Sequence, residues 1–220
     1  IDGREVIGKK GQTILEVARD NGIDIPYLCY HPKVSKTGAC RICIVKINDQ
    51  MLKTSCTEPA ANGMKVDTED ADVVVLRKEI LSFLLAEGDH NCLYCDANGD
   101  CELQALCYRY GVEQPYAEYP KNKRTVDYTS SQGLKRNENR CILCGRCVKA
   151  CGEIQVNNVW NFAGRGSNAH LTADMFEKIG DSSCVQCGTC VQLCPTGALT
   201  YQNVLGRGMA WELKKESSIC

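Results

Sequence analysis

The sequence predicts an α+β chain built of several small units in series, and three observations carry that prediction. Runs of strand character flank one short helix in the first 75 residues, a longer helical period follows over 72–87, and a cysteine pattern in the C-terminal part repeats at a fixed offset. The 220 residues leave room for one large domain or two to three small ones.

The elements follow in order. Asp2 and Gly3 are a hairpin signal, and Thr13, Ile14, Leu15 and Glu16 have the form of a capping box opening a short helix that Gly22 would end. After Cys29 and a polar loop, the runs 42–47 and 51–55 read as strands joined across Asn48 and Asp49. Val73, Leu76, Ile80 and Leu84 recur at helical spacing, so 72–87 predicts a packing helix with Gly88 as its stop. A second helix is expected over 101–110, ending at Gly111. The stretch 114–139 carries Pro115, Pro120, several charges and few aliphatic residues, and predicts a linker draped over the surface; Lys121, Lys123 and Arg124 belong to it as solvated charges.

Composition removes several function classes. The formal net charge is −1 with acidic and basic residues intermixed, which is not the electropositive footprint of a nucleic-acid binder. The longest nearly apolar stretch, 80–86, is interrupted by Ser82 and is too short to cross a bilayer, so a cytoplasmic location is expected. Seventeen cysteines then need an explanation, either disulfides or metal. Disulfides suit small secreted domains, whereas here the count is odd, no secretory segment is visible, and most cysteines lie two or three residues from another. Metal is the expectation.

The strongest motif is C-x2-C-x2-C-x3-C, present twice. Cys141, Cys144, Cys147 and Cys151 recur 43 residues later as Cys184, Cys187, Cys190 and Cys194, with Gly145 matched by Gly188 and Pro195 after the second copy. In this pattern the first three thiolates of a run face three corners of one [4Fe–4S] cube and the fourth reaches the other cluster. The expected sets are therefore Cys141, Cys144, Cys147 and Cys194 for one cluster, and Cys184, Cys187, Cys190 and Cys151 for the other. A bare backbone at Gly145 and Gly188 would let N–H groups approach the sulfurs. Tetrahedral zinc takes cysteines as two separated C-x2-C pairs and has no need of four closely set thiolates in each of two runs. Residues 141–199 thus resemble two-cluster bacterial ferredoxins, with one departure: Gly152 stands where small ferredoxins often have proline after the fourth cysteine, which bears on a local turn.

Cys29, Cys40, Cys43 and Cys56 form C-x10-C-x2-C-x12-C, four thiolates that suffice for the two irons of a [2Fe–2S] cluster. The loop 30–39 is longer than in the plant-type run. The longer form resembles the N-terminal iron–sulfur region shared by the large iron–sulfur subunit of complex I, iron-only hydrogenases and NAD-linked formate dehydrogenase catalytic subunits, most closely at Gly38-Ala39-Cys40-Arg41-Ile42-Cys43. His31, before a proline in this loop, is not expected to be a ligand. In the same families a histidine and three cysteines bind a [4Fe–4S] cluster, which implies that role for His90, Cys92, Cys95 and Cys101, followed here by Glu102-Leu103-Gln104. Only Asn91 separates His90 from Cys92, where the families usually have three residues. Cys107 is the competing fourth ligand; its other reading is a small buried hydrophobe.

The resemblance implies a plant-type ferredoxin (β-grasp) domain over 1–75, a small helical His/Cys cluster domain over 76–118, a linker over 119–139, a two-[4Fe–4S] ferredoxin-like domain over 140–203, and a tail or lead-in over 204–220. One [2Fe–2S] and three [4Fe–4S] clusters absorb fifteen cysteines and leave Cys107 and Cys220. Such a chain would relay single electrons between a flavoprotein NAD(P)H-oxidising or reducing subunit and a catalytic partner. No glycine-rich dinucleotide fingerprint is present, and Gly164-Arg165-Gly166 and Gly206-Arg207-Gly208 read as backbone turns, so no substrate-converting site of its own is expected. Trp211-Glu212-Leu213-Lys214-Lys215, ending at Cys220, resembles the lead-in to the molybdopterin domain of formate dehydrogenases; Cys220 would then open a further cluster motif, or be an incidental thiol on a solvated tail. The expected setting is a formate-dehydrogenase-type complex. A relay subunit of a hydrogenase or complex I-like oxidoreductase is the alternative, and a zinc-stabilised scaffold without redox role is the reading from another class.

Overall fold

The computed structural model describes residues 1–115, 124–175 and 177–202, together with 208, 212, 214 and 216. The expectations placed on Lys121, Lys123, Gly206, Arg207, Trp211, Leu213, Lys215 and Cys220 lie outside the described residues.

In the N-terminal unit, α1 (Ile14–Asp20) starts at a complete capping box: the Glu16 N–H donates to Thr13 Oγ1 at 3.5 Å, and the Thr13 N–H donates to Glu16 Oε2 at 2.9 Å. These bonds satisfy donors that the first helical turn would leave orphaned. Asn21 caps the C-terminal end, and Gly22 follows at φ +69°. β1 (Ile44–Ile47) pairs antiparallel with β2 (Met51–Thr54), and Asn48 and Asp49 turn the chain at φ +51° and +58°. A third strand absent from the sequence reading, β3 (Val66–Asp67), pairs with the other edge of β1. Asp2 and Gly3 make a tight turn without flanking strands; the Asp2 N–H donates to Val66 O at 2.8 Å and its carboxylate accepts from Thr68, which ties the chain start to β3. Ile14, Leu15, Ala18, Ile25, Val45, Ile47 and Val66 bury their side chains between helix and sheet.

α2 (Ala71–Glu87) is capped by Asp70, whose carboxylate accepts from the Asp72 N–H at 3.0 Å. Arg77, fully buried, fastens this helix to its neighbours: Nη2 donates to Ile44 O of β1 at 2.7 Å and Nη1 to Tyr110 Oη at 2.9 Å. Gly88 stops α2 with extended backbone (φ −124°, ψ 173°), and a Cβ there would collide with the Asn139 carbonyl and the His90 ring. α3 (Glu102–Tyr110) ends at Gly111 in the left-handed region, φ +63°, as a glycine after the last turn permits. Leu28 and Ile42 from the first unit, Leu81 of α2, Leu103 and Tyr110 of α3, and Ile142 share one apolar cluster, so the units are packed together through a common core.

The surface-linker expectation for 119–139 fails over its described part. β4 (Val126–Asp127) and β5 (Leu134–Asn137) lie there, β5 pairs antiparallel with both β4 and the last strand, β8 (Leu199–Tyr201), and Leu134, Lys135 and Arg136 are buried. The charges mislead because their partners are remote or stacked: Lys135 Nζ is ion-paired with Asp96, and the Arg136 guanidinium lies 5.7 Å from the Trp160 ring centre. In the hairpin of β6 (Trp160–Ala163) and β7 (His170–Ala173), turned by Gly164 and Gly166 at positive φ, β6 packs on the short helix α4 (Arg146–Lys149), and α4 in turn packs on α5 (Thr189–Leu193). Among the described residues no helix is long and apolar enough to cross a membrane.

Candidate metal centres

The sixteen described cysteines are all free thiols, and most of them turn inward. Cys29, Cys40, Cys43 and Cys56 are at most 6% exposed. They arrive from the end of the 23–28 segment, the loop before β1 and the residues after β2, so the sheet and α1 fix them around one point. The Cys29 N–H donates to Cys40 Sγ at 3.3 Å, and the thiols touch one another. Contacts from Cys40 and Cys56 lower the pKa of Cys29, and a contact from Cys56 lowers that of Cys43. Cys40 and Cys56 are pushed far up as the protonated members of the same contacts. Four sulfurs gathered this closely and sealed from water are stable as thiolates only around a cationic core. His31 lies apart, with Nδ1 accepting the Lys33 N–H at 3.3 Å.

A small pocket is lined by His90, Cys92, Cys95 and Cys101, with Gln104, Arg140 and Gly197 among its other walls. Cys92 lies in a single 3-10 turn (Cys92–Tyr94), and Cys101 caps α3 by accepting the Gln104 N–H on Sγ at 3.4 Å. Gln104 then braces the intervening loop: its Oε1 accepts from the Gly99 N–H at 2.8 Å and its Nε2 donates to Asn98 Oδ1 at 2.8 Å. In the sequence Gln104 stands only as part of the Glu102-Leu103-Gln104 motif, and its bracing role is visible only in the folded loop. His90 Nε2 lies 3.0 Å from Leu84 O, which suits an N–H at that nitrogen. Cys107 does not line this cavity. It is 7% exposed in the shared apolar cluster, where burial raises its pKa to about 11.

Two further cavities take the repeat in crossed fashion. Cys141, Cys144, Cys147 and Cys194 line one, and Cys151, Cys184, Cys187 and Cys190 line the other. The repeat is reproduced in the backbone. Leu143 and Gln186, 43 residues apart, have φ of +53° and +54°, and Gly145 and Gly188 have φ of +78° and +76° at the starts of α4 and α5. This winding turns amides toward sulfur: Leu143 N–H donates to Cys141 Sγ at 3.4 Å, Gln186 N–H to Cys184 Sγ at 3.4 Å, and Val159 N–H to Cys151 Sγ at 3.3 Å. Left-handed backbone at a residue such as leucine costs of order 1 kcal/mol, a strain that persists only where the surroundings enforce it. Gly152, in place of the ferredoxin proline, lies in a π-helical turn (Ala150–Ile154) that carries Cys151 inward.

Burial dominates the electrostatics of these sets. It lifts Cys101, Cys141 and Cys190 to about 12 and Cys144 and Cys147 further. Such thiols ionise only beside a metal. Among the described residues no three or more His, Cys, Asp or Glu side chains are placed to hold a single metal ion. Thiols spread around a cavity, with amides aimed at the sulfurs, suit a polynuclear core whose irons each take a separate corner.

Comparison with known proteins places this geometry. The family described as "2Fe-2S iron-sulfur cluster binding domain" matches residues 1–71, the "NADH-ubiquinone oxidoreductase-G iron-sulfur binding region" matches 77–115, and the "NADH-quinone oxidoreductase subunit 3, ferredoxin-like domain" matches 132–200. The chain is 33% identical to the NAD-reducing hydrogenase HoxS subunit gamma of Cupriavidus necator over 93% of its own length and 86% of the relative's. It is 33% identical to the mitochondrial NADH-ubiquinone oxidoreductase 78 kDa subunit of Candida albicans and 35% identical to the NADPH-Fe(3+) oxidoreductase subunit alpha of Geobacter sulfurreducens. Of those two longer relatives it spans 30% and 26% of the length. A crystal structure of an NAD+-reducing [NiFe]-hydrogenase in the H2-reduced state contains a chain with the same fold, at a TM-score of 0.86 and 34% identity over 92% of this chain and 86% of that one. The chain therefore belongs to the iron–sulfur family that includes the HoxS gamma subunit, and is the electron-transfer region this family shares with the complex I 78 kDa subunit.

Proposed function

We propose that this chain is a cytoplasmic relay that carries single electrons through one [2Fe–2S] and three [4Fe–4S] clusters between a flavin- and NAD(P)H-linked subunit and a catalytic partner. The observation that carries the reading is the crossed lining of the two C-terminal cavities, each taking three cysteines from one copy of the repeat and one from the other. When bound, the clusters would supply centres that exchange one electron at a time. Everything else is the work of the chain: it gathers thiolates, aims amides at them, keeps water away and packs the sets into one body with little room to rearrange.

On this reading Cys29, Cys40, Cys43 and Cys56 hold the [2Fe–2S] cluster. His90, with Cys92, Cys95 and Cys101, holds one [4Fe–4S] cluster. Cys141, Cys144, Cys147 and Cys194 hold the second, and Cys151, Cys184, Cys187 and Cys190 the third. The units extend over about 1–75, 76–118 and 124–203, a division supported by the three family matches and by the place of β5 beside β8. Cys187 is the exposed member of its set, which favours the third cluster as a point of exchange with a partner. The HoxS gamma relative supports a partner of the NAD-linked hydrogenase or complex I type. The formate-dehydrogenase expectation, with its molybdopterin partner, rests on the tail around Trp211 and Cys220.

Anaerobic analysis of iron and acid-labile sulfide tests the proposal. It expects about fourteen irons per chain with matching sulfide, one two-iron and three four-iron clusters. Zinc without labile sulfide would defeat it in favour of a metal-stabilised scaffold.

A further inference from the structure

We propose that Arg146 is a positioning residue that locks three of the four cysteine sets in fixed relation and, through its buried charge, raises the reduction potentials of the two [4Fe–4S] clusters beside it. The inference rests on the cluster assignment above. Arg146 stands between Cys144 and Cys147, and the left-handed Gly145 before it turns its side chain into the interior, where it is 1% exposed.

Its contacts run to every neighbouring unit. Nη1 and Nη2 form a fork on the Glu102 carboxylate at 2.6 and 2.9 Å, and Glu102 directly follows Cys101. Nη1 also donates to the Leu193 carbonyl at 3.3 Å, one residue before Cys194. The guanidinium carbon lies 5.9 Å from the ring centre of Tyr27, two residues before Cys29. A planar fork that meets a carboxylate, a carbonyl and an aromatic ring at once fixes orientation as well as distance, which a lysine cannot reproduce. Backbone bonds work in the same direction: the Glu102 N–H donates to Pro195 O at 3.0 Å.

The charges of the pair cancel only in part inside the protein. The Glu102 side chain is 46% exposed and screened by water, whereas that of Arg146 is 1% exposed. The interior is left with a net positive centre two residues from Cys144 and one from Cys147. Reduction adds one negative charge to a cluster, so a buried cation beside it favours the reduced state.

The test is a redox titration followed by electron paramagnetic resonance, with iron and sulfide counted in every variant. Arg146→Met should keep iron while lowering the midpoints of the Cys141-set and His90-set clusters by about tenfold in reduction equilibrium, about 59 mV for one electron. Arg146→Lys should restore most of that shift, and the Cys184-set cluster should stay unmoved. Glu102→Gln should move the same two midpoints upward, and it keeps the inference open to refutation if Arg146→Met loads poorly. Full iron with unmoved midpoints in Arg146→Met, or in Glu102→Gln where Arg146→Met loads poorly, would overturn the role of Arg146 and leave the relay reading standing. An unaltered chain that takes up no iron and sulfide would remove the relay reading itself.

Discussion

Gly197 offers a sharp test of the middle centre, because its α-carbon faces the sulfur of Cys95. A Cβ built at Gly197 falls well inside the contact distance of about 3.5–4.0 Å from Cys95 Sγ, and it also meets the Ala97 Cβ at 3.3 Å and the Arg140 Cδ at 3.5 Å. In the metal-free chain the Cys95 side chain can rotate away, and the substitution Gly197→Ala should cost no more than an ordinary overpacking, about 1–3 kcal/mol. Once Sγ is pinned to iron that escape is closed, and the methyl group and the ligand compete for one position. The expected result is selective: iron falls from about fourteen to about ten per chain, with sulfide in proportion, and one [4Fe–4S] signal disappears while the others remain. Gly133→Ala is the control, since its Cβ meets the flexible end of the Gln186 side chain and not a ligand. Full iron and an unchanged resonance spectrum in Gly197→Ala would refute the placing of Cys95 as a ligand held against the C-terminal unit.

Other outcomes follow from the same geometry. His90→Ala should alter or remove one [4Fe–4S] resonance, whereas Cys107→Ala should leave every resonance in place and cost only about 1 kcal/mol of packing in denaturant unfolding; the opposite pattern would move the fourth ligand to Cys107. Asp127 accepts from the Ser130 N–H, the Ser130 hydroxyl and the Ile179 N–H at 3.1, 2.5 and 3.0 Å. Although burial works against its charge, these bonds hold its pKa below the usual 3.8. Asp127→Ala should therefore cost about 2–4 kcal/mol at neutral pH. With the folded pKa depressed, the contribution is complete above the unfolded value and fades as pH falls through the folded one, so the gap between the two proteins should narrow below about pH 4. A gap that widened in acid would contradict the assignment. Thr13→Ala should cost about 1 kcal/mol in thermal or denaturant unfolding without changing iron content.

Much of this arrangement is legible before any coordinates. The Thr13–Glu16 box, the period of Val73 to Leu84, and the glycine after Tyr110 are local signals, and local hydrogen bonding settles them. The crossed lining of the two C-terminal pockets is foreshadowed for a different reason: in C-x2-C-x2-C-x3-C the first three cysteines serve one core and the fourth the other. What escaped reading depends on partners far away in the chain. Lys135 and Arg136 look like linker charges until Asp96 and Trp160 are brought beside them. Arg146 looks like a surface residue of a short helix until Glu102, 44 positions earlier, closes over it. β3 is two residues long and β5 carries three polar side chains in four, so neither has the alternation that announces a strand.

The claim on which the account depends is that four separate groups of side chains hold four redox cores within one packed body. Stepwise anaerobic reduction of the intact chain, followed by low-temperature electron paramagnetic resonance, addresses it directly. The account predicts one [2Fe–2S] resonance and three [4Fe–4S] resonances that broaden one another as reduction proceeds. A fully reduced sample with fewer kinds of centre, or with resonances that stay sharp and independent throughout, would contradict it.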